Sequence, residues 1–295
     1  MSARMSARLA MAIAAALAGC QLLAPSGEVQ CRSDSNCDTR GGDFASSVCV
    51  DQLCVTKGDR CLGHTAEIVE DRTTPLHTRL RFVNVGGTPV AGIPVLVCAS
   101  KDEPCEGPVG PPVVTDAAGY AYMTIWKDFR GTIQVKNPPA GSDILKVKIH
   151  FSGRFETDDK PDRVIAPELA IHLLTRTLFG LQLGARAALD PNAGHILAET
   201  ADCDTVARPG VQVSFTTDKE AGAPFLFYFS EEGIASATAT ETAKDGLFGV
   251  VNVPEGPVVL EGTITASGKK LARTEIWVNK DTISNLALAP TPALP

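Results

Sequence analysis

Hydrophobic and polar residues alternate with a period of two through much of the chain after residue 70, a pattern that predicts β-strands. The clearest case is the stretch ILKVKIHFS. Its apolar face holds Leu145, Val147, Ile149 and Phe151, and its polar face holds Lys146, Lys148 and His150. We expect the apolar face to lie in a core and the polar face, including His150, to lie in water.

Strand-like stretches fall into two blocks, residues 64–152 and residues 193–290. The second block offers GHILAET, GVQVSFTT, GLFGVVNV, PVVLEGTITASG and KLARTEIWVN. Between the blocks, residues 153–192 read as a linker with one short helix in PELAIHLLTRTLFG. Pro167 suits the first position of that helix and Gly180 suits its end.

The two blocks repeat one another. Each has a strand entered through a glycine, followed by a Thr/Asp/Gly turn and a strand with aromatic residues. The interval from Gly92 to Gly119 is 27 residues, and the interval from Gly210 to Gly246 is 36 residues. The extra residues fall around GAPFLFYFSEEG, which we interpret as an inserted loop or hairpin.

This repeated pattern resembles the carboxypeptidase regulatory-like domain. In the second block the match lies at Gly246, Phe248, Asn252, Val253, Pro254 and Gly256. In the first block it lies at Gly92, Thr115, Asp116, Gly119 and Tyr120. The resemblance implies an all-β chain with two small antiparallel β-sandwiches of transthyretin-like or immunoglobulin-like type, joined by a short helix. It implies no catalytic residues, because such sandwiches are scaffolds.

The first residues indicate export. Arg4 and Arg8 precede the short apolar run LAMAIAAALAG, which is typical of a secretory signal and well below the ~20 residues that a membrane-spanning helix needs. Leu17-Ala18-Gly19-Cys20 resembles the bacterial lipobox. That resemblance implies removal of residues 1–19 and a diacylglyceryl group on Cys20. Gln21 after the cysteine implies the outer membrane, on its periplasmic face or at the cell surface.

After a tether at residues 20–30, residues 31–63 form a cysteine-rich segment. Its cysteines are Cys31, Cys37, Cys49, Cys54 and Cys61. The spacing and the oxidising compartment favour disulfides over zinc. Five cysteines cannot all pair internally, so we expect one bond to Cys203, with Cys61 as the candidate partner and a free buried thiol as the alternative. Cys98 and Cys105 are expected to close a loop.

Charge and composition narrow the classes of partner. Without residues 1–19 the chain has 25 Lys and Arg against 34 Asp and Glu, a net charge of −9. No basic cluster is left, so nucleic acid is not an expected partner. No two histidines stand at metal-binding spacing and no phosphate-binding glycine loop occurs, so we expect neither a metal nor a cofactor.

The sequence offers one candidate binding stretch, PFLFYF. Its aromatic residues Phe225, Phe227, Tyr228 and Phe229 would stack on sugars or on a protein if exposed at a loop, whereas the alternative is a buried strand. We therefore expect a non-catalytic envelope lipoprotein whose sandwiches serve binding or adhesion, with a glycan or the cell wall as the ligand. The alternative is a structural spacer or assembly subunit that binds another envelope protein.

A remote alternative rests on a weak resemblance of TDAAGYAYMT and KVKIHFSG to intradiol dioxygenases. Those enzymes bind iron through two tyrosines and two histidines. Here Lys148 stands where the first histidine would be. The available tyrosines are Tyr120, Tyr122 and Tyr228.

Overall fold

The computed structural model describes residues 29–40, 44, 47–63, 69–99, 105, 108–138, 142–151, 170–184, 187–219, 223–236 and 238–290. The chain divides into two compact units, residues 1–60 and residues 61–295. Both β-sandwich blocks of the sequence lie within the second unit.

The N-terminal unit is a small disulfide-bonded hairpin. It contains a helix α1 (Asp34–Asp38), two strands, β1 (Ser47–Val50) and β2 (Leu53–Thr56), and a 3-10 turn (Lys57–Asp59). Asp51 and Gln52 between the strands both have positive φ, which is the backbone of a tight hairpin turn. The disulfide Cys37–Cys54 joins this hairpin to α1, and the disulfide Cys31–Cys49 joins it to the segment before α1. Cross-links rather than an apolar core hold this unit together.

The second unit is built almost entirely of strands. In the first block these are β3 (Asp71–Asn84), β4 (Pro94–Cys98), β5 (Val113–Val114), β6 (Tyr120–Lys127), β7 (Thr132–Val135) and β8 (Lys146–His150). Next come β9 (Ala170–Leu173) and helix α2 (Arg176–Leu183). The second block has β10 (Gly194–Thr200), β11 (Val211–Thr217), β12 (Phe225–Phe229), β13 (Ala235–Ser236), β14 (Leu247–Val253), β15 (Gly256–Ile264), β16 (Lys270–Val278) and β17 (Thr282–Leu288).

These strands form one long sheet and two short ones. The main sheet has nine strands in the order β13-β12-β14-β10-β17-β8-β7-β4-β5. The first flanking sheet has the order β6-β3-β9, and the second flanking sheet has the order β11-β15-β16. Each flanking sheet encloses an apolar core against the main sheet. The chain is an all-β protein of sandwich type, as the alternating pattern predicts.

The two sandwiches share one local architecture. The Thr115 hydroxyl accepts a hydrogen bond from the Ile93 amide and donates to the Val90 carbonyl. In the second block Thr242 does the same with the Val211 amide and the Arg208 carbonyl. The repeat seen in the sequence is therefore a repeat of buried hydrogen bonds.

The strand pairings repeat as well. In the first sandwich β3 pairs antiparallel with β6 and parallel with β9. In the second, β10 pairs antiparallel with β14 and parallel with β17. The inserted stretch GAPFLFYFSEEG contains β12, which pairs with the free edge of β14, and β13 follows the stretch and pairs with β12. The sandwiches are thus not wholly antiparallel, because each receives its last strand by a crossover connection.

The sandwiches are joined through their sheets. Strand β17 pairs in parallel with β8, so the last strand of the second sandwich lies beside a strand of the first sandwich in the main sheet. At this junction Val147 points into the first core, while Leu286 points into the second core from the opposite face. The flanking sheets therefore cover opposite faces of the main sheet.

The junction corrects one expectation about β8. Lys148 and His150 are buried, at 1% and 7% exposure, rather than in water. The second sandwich covers this polar face, and the Lys148 Nζ donates to the carbonyl of Trp277. A strand with an alternating pattern can be covered on both faces when a second module packs on its polar side.

The segment predicted as a helix also differs. Residues 170–173 form strand β9 instead, and the helix α2 begins later, after the N-cap Thr175, and runs through Gly180. Pro167 lies outside the described residues. The parallel partner β3 draws this apolar stretch into a sheet, which a helical pattern read locally cannot reveal. Helix α2 buries Phe179 and Leu183 against the main sheet.

Two disulfides belong to the second unit. Cys61 is bonded to Cys203, and Cys98 is bonded to Cys105, the pairs that the cysteine count favours. The first closes a sequence separation of 142 residues and the second a separation of 7 residues. The longer bond fixes the start of the unit to a loop of the second sandwich.

Candidate functional site

The outer face of the first flanking sheet carries arginine and aromatic side chains in register. In β6, Ala121, Met123 and Ile125 are buried, so the tyrosines that alternate with them point outward. In β3, Leu80 and Phe82 are buried, so the arginines that alternate with them point outward too. We call the resulting surface the arginine–aromatic ladder; its members are Arg72, Arg79, Arg81, Tyr120, Tyr122 and Trp126.

Cross-strand register brings these side chains into contact. Arg79 lies opposite Tyr122, and Arg81 lies opposite Tyr120. The guanidinium carbons of Arg79 and Arg81 lie 4.7 Å and 5.6 Å from the centre of the Tyr120 ring, within cation–π distance. Tyr122 is 57% exposed, and its ring centre is 6.2 Å from that of Tyr120. This face therefore presents two tyrosine rings, one of which is in contact with two guanidinium groups.

One end of the ladder is fixed to the core. The Arg72 guanidinium carbon lies 4.9 Å from the centre of the Trp126 ring, and Arg72 pairs with Glu70 at 3.0 Å. The Trp126 ring meets the buried Phe129 edge-on at 5.1 Å. These contacts hold the Trp126 ring between Arg72 and Phe129.

The ladder is locally cationic, although the whole chain is acidic. Among the described residues, no carboxylate pairs with Arg79 or Arg81; the Arg81 Nε donates to the backbone carbonyl of Ala118. The nearby Asp71 carboxylate is occupied by the hydroxyls of Thr73 and Thr74. These hydrogen bonds lower the Asp71 pKa to about 2, so it stays anionic without neutralising either arginine.

A groove runs beside the ladder. It has a volume of about 610 Å³, and its lining includes the ladder members Arg79 and Tyr122. The buried residues Val97 and Met123 also line it. The arrangement places an apolar floor next to an exposed ring and a guanidinium that pairs with no carboxylate of the described residues. Such a surface suits a ligand with both a flat apolar face and a negative group.

The aromatic stretch predicted to bind ligands does not form an exposed cluster. Phe227 and Tyr228 are 1% and 4% exposed, so neither has surface for stacking. Phe225 and Phe229 are half-buried beside Phe227 on strand β12. Of the predicted set, Phe229 lines a largely apolar cavity of about 650 Å³. The alternative interpretation, a buried strand, describes most of this stretch.

The groups considered for metal binding do not assemble. Tyr228 lies in the second core, where its hydroxyl accepts from the Val213 amide at 2.9 Å, whereas Tyr120 and Tyr122 belong to the ladder. The one cluster of potential metal ligands among the described residues is formed by sulfurs of Cys31, Cys37 and Cys54. These sulfurs are oxidised in disulfides and are not thiolate ligands.

The expected lipidation site, Cys20, lies outside the described residues. Within the part of the chain that the structure describes, no helix is both long enough and apolar enough to cross a bilayer.

Both strands of the ladder have a recognisable alternating pattern in the sequence, but the pattern of one strand does not show which other strand it pairs with. HTRLRF and YAYMTIW each alternate, with arginines or tyrosines on one face. Their juxtaposition depends on the pairing of β3 with β6 across about 40 residues of sequence. The register between strands distant in sequence is set by tertiary structure. Each of these two amphipathic strands, taken alone, therefore does not indicate that their side chains form one surface.

No protein-family model matches the chain, and no curated protein matches it. Among solved structures it is similar to the Bacillus anthracis TIE protein, with 12% identity over 74% of this chain and 34% of that one, at a TM-score of 0.27. It is also similar to a streptococcal ancillary pilin, with 14% identity over 73% of this chain and 63% of that one, at a TM-score of 0.25. A third is BcpA, the major pilin subunit of Bacillus cereus, with 12% identity over 70% and 68%, at a TM-score of 0.27.

The chain spans about a third of the TIE protein and under two thirds of the streptococcal pilin. TM-scores this low establish neither a common fold nor a common function.

Proposed function

We propose that the protein is a non-catalytic envelope protein that binds an anionic polysaccharide through the arginine–aromatic ladder. The observation that carries this proposal is the exposed Tyr122 ring beside the Arg79 guanidinium, which has no carboxylate partner among the described residues. Sugar rings present flat apolar faces that pack on aromatic rings. Carboxylate, sulfate and phosphate groups accept paired hydrogen bonds from arginine.

The proposed binding surface therefore lies on strands β3 and β6 and not in the stretch around Phe225. Tyr122 of the ladder is exposed to solvent, whereas Phe227 and Tyr228 are buried. The ladder also has positive charge in a chain with 34 acidic and 27 basic residues, so an anionic ligand would be drawn to this face specifically.

The proposal includes anchoring at the outer membrane through acyl chains on Cys20. Each buried CH₂ of an acyl chain contributes about 0.8 kcal/mol to membrane binding, and two or more chains give stable attachment. We also propose that both sandwiches are copies of one transthyretin-like module, which the matched hydrogen bonds of Thr115 and Thr242 support.

A second candidate function is a structural spacer or assembly subunit. The main sheet favours it, because the β8–β17 pairing fuses the sandwiches into one unit, an arrangement suited to holding a fixed spacing. This role predicts a protein neighbour on living cells and no retention on polysaccharide.

The test is co-sedimentation of residues 21–295, with disulfides oxidised, on insoluble matrices. We expect saturable retention on cross-linked polygalacturonate and little on neutral cellulose. Tyr122→Ala should reduce retention by up to about tenfold, since the packing of a sugar ring on the exposed Tyr122 ring contributes on the order of 1 kcal/mol.

The matched control is Ile234→Ala, which removes a side chain of similar exposure, 58%, from the second sandwich. It should leave retention unchanged. Equal retention on both matrices, or equal loss in both variants, would contradict a ladder that recognises anionic glycans.

A further inference from the structure

A second charged feature lies where the sandwiches meet, on the face of the main sheet away from the first core. A cavity of about 270 Å³ opens there. We call it the lysine pocket; its cationic lining residues are Lys136, Lys146, Lys148 and Lys280. Among the described residues that line the pocket, Glu255 is the one acid, so these side chains together carry a net positive charge.

Strand register concentrates these ammonium groups. Across β7 and β8, Gln134 lies opposite Lys148. Lys136 directly follows β7 and lines the same pocket. Lys146 and Lys148 are also two residues apart on β8, so both side chains project from the same face. Three ammonium groups therefore leave one small patch of sheet.

The second sandwich encloses this patch. Lys148 is 1% exposed, and its Nζ donates to the Trp277 carbonyl and the Asn279 side-chain oxygen, both at 3.3 Å. The backbone carbonyl of Glu255 accepts from the Lys219 Nζ at 2.5 Å, which brings a further ammonium group to the same loop. A half-enclosed site with this many cations favours an anion, because water screens charges poorly there.

We propose that the lysine pocket binds a small oxyanion carrying two or more negative charges, of the phosphate, sulfate or polycarboxylate class. Lysine binds such groups as a point charge. The volume lies just below the range of about 300–1,000 Å³ that holds drug-sized molecules, so it suits a single anionic group. The pocket and the ladder lie on different surfaces, so this site is independent of glycan binding.

Isothermal titration calorimetry with residues 21–295 tests the proposal, with inorganic phosphate as the probe at constant ionic strength. We expect saturable binding with one site per chain. Lys146→Gln should weaken it about tenfold, the usual effect of losing one charge-assisted hydrogen bond. Lys280→Gln, at an exposed position, provides a second variant that does not disturb the core. The control Lys269→Gln removes an exposed lysine from the second flanking sheet's hairpin.

Saturable binding that weakens in both pocket variants and not in Lys269→Gln would support the site. Absence of saturable binding for phosphate, sulfate and citrate at millimolar concentration would overturn it. So would binding that is unchanged in both pocket variants. Glycerol 3-phosphate and vesicles containing phosphatidylglycerol then separate the sources: binding to the soluble ester alone identifies a free anion, and retention on vesicles as well identifies a lipid headgroup.

Discussion

At the scale of single residues, His195 shows how burial produces pH sensitivity. The ring is fully buried, and its Nδ1 accepts from the Asn252 amide at 3.3 Å. Burial, followed by the charge of Arg176, lowers its pKa from 6.5 to about 4, although Asp281 and Asp190 oppose this. Between pH 4 and pH 6.5 the imidazole is therefore mostly neutral in the folded state and mostly protonated in the unfolded chain.

The consequence is a loss of stability in mild acid. Between pH 6.5 and pH 4 the unfolded state binds more protons than the folded state, so the free energy of unfolding falls as pH falls through that window. The full loss attributable to His195 is about 3 kcal/mol. Urea unfolding at several pH values measures it. His195→Gln should flatten the slope, whereas His77→Gln, an exposed control, should not; equal slopes in all three proteins would refute this role.

Gly119 tests the repeated turn at the same scale. Its φ is +80°, and a Cβ there would lie 2.5 Å from the Phe82 carbonyl oxygen. Gly87 has a similar φ of +78° with nothing within 4 Å, so it isolates the backbone cost from the clash. We expect Gly87→Ala to cost about 1 kcal/mol of unfolding free energy and Gly119→Ala more than about 2 kcal/mol. Equal costs in chemical denaturation would show that the close approach is unimportant.

At the scale of elements, disulfides and strand crossovers determine which distant segments lie side by side, which local sequence patterns do not specify. Cys61–Cys203 closes a loop of 142 residues, and Cys98–Cys105 closes one of 7. The loop-closure model gives about 5 kcal/mol for the first and about 2 kcal/mol for the second. Replacing both cysteines of each pair by serine should therefore lower the urea midpoint more for the long bond. The reverse order would contradict an effect exerted on the unfolded chain.

The same scale separates what sequence reading predicts from what it misses. The anchor glycines and the alternation of β11 are local features, and the structure has them where the pattern predicts. The sequence predicts a helix where strand β9 forms, because AIHLL fits both periods. The sequence pattern does not indicate strand β17, although its pairing with β8 joins the sandwiches and buries Lys148. Both errors concern parallel pairings between segments distant in sequence.

At the scale of the whole molecule, the main sheet contributes residues to two apolar cores, one on each of its faces. The ladder, the lysine pocket and the β8–β17 junction all follow from how the repeated modules are joined, and no single stretch of sequence encodes them. This explains why candidate residues chosen by local composition, such as Phe227 and Tyr228, are core residues. The ladder becomes visible only when β3 and β6 are placed side by side.

The most direct measurement is the Kd of residues 21–295 for a polygalacturonate oligosaccharide, by calorimetry at low and at physiological salt. We predict binding that weakens as salt screens the arginines, and a Kd at least about tenfold higher in the double variant Arg79→Gln/Arg81→Gln. A neutral dextran oligosaccharide should give no heat of binding. A Kd that is the same in the double variant and the wild-type protein would contradict the proposal that the ladder is the binding site.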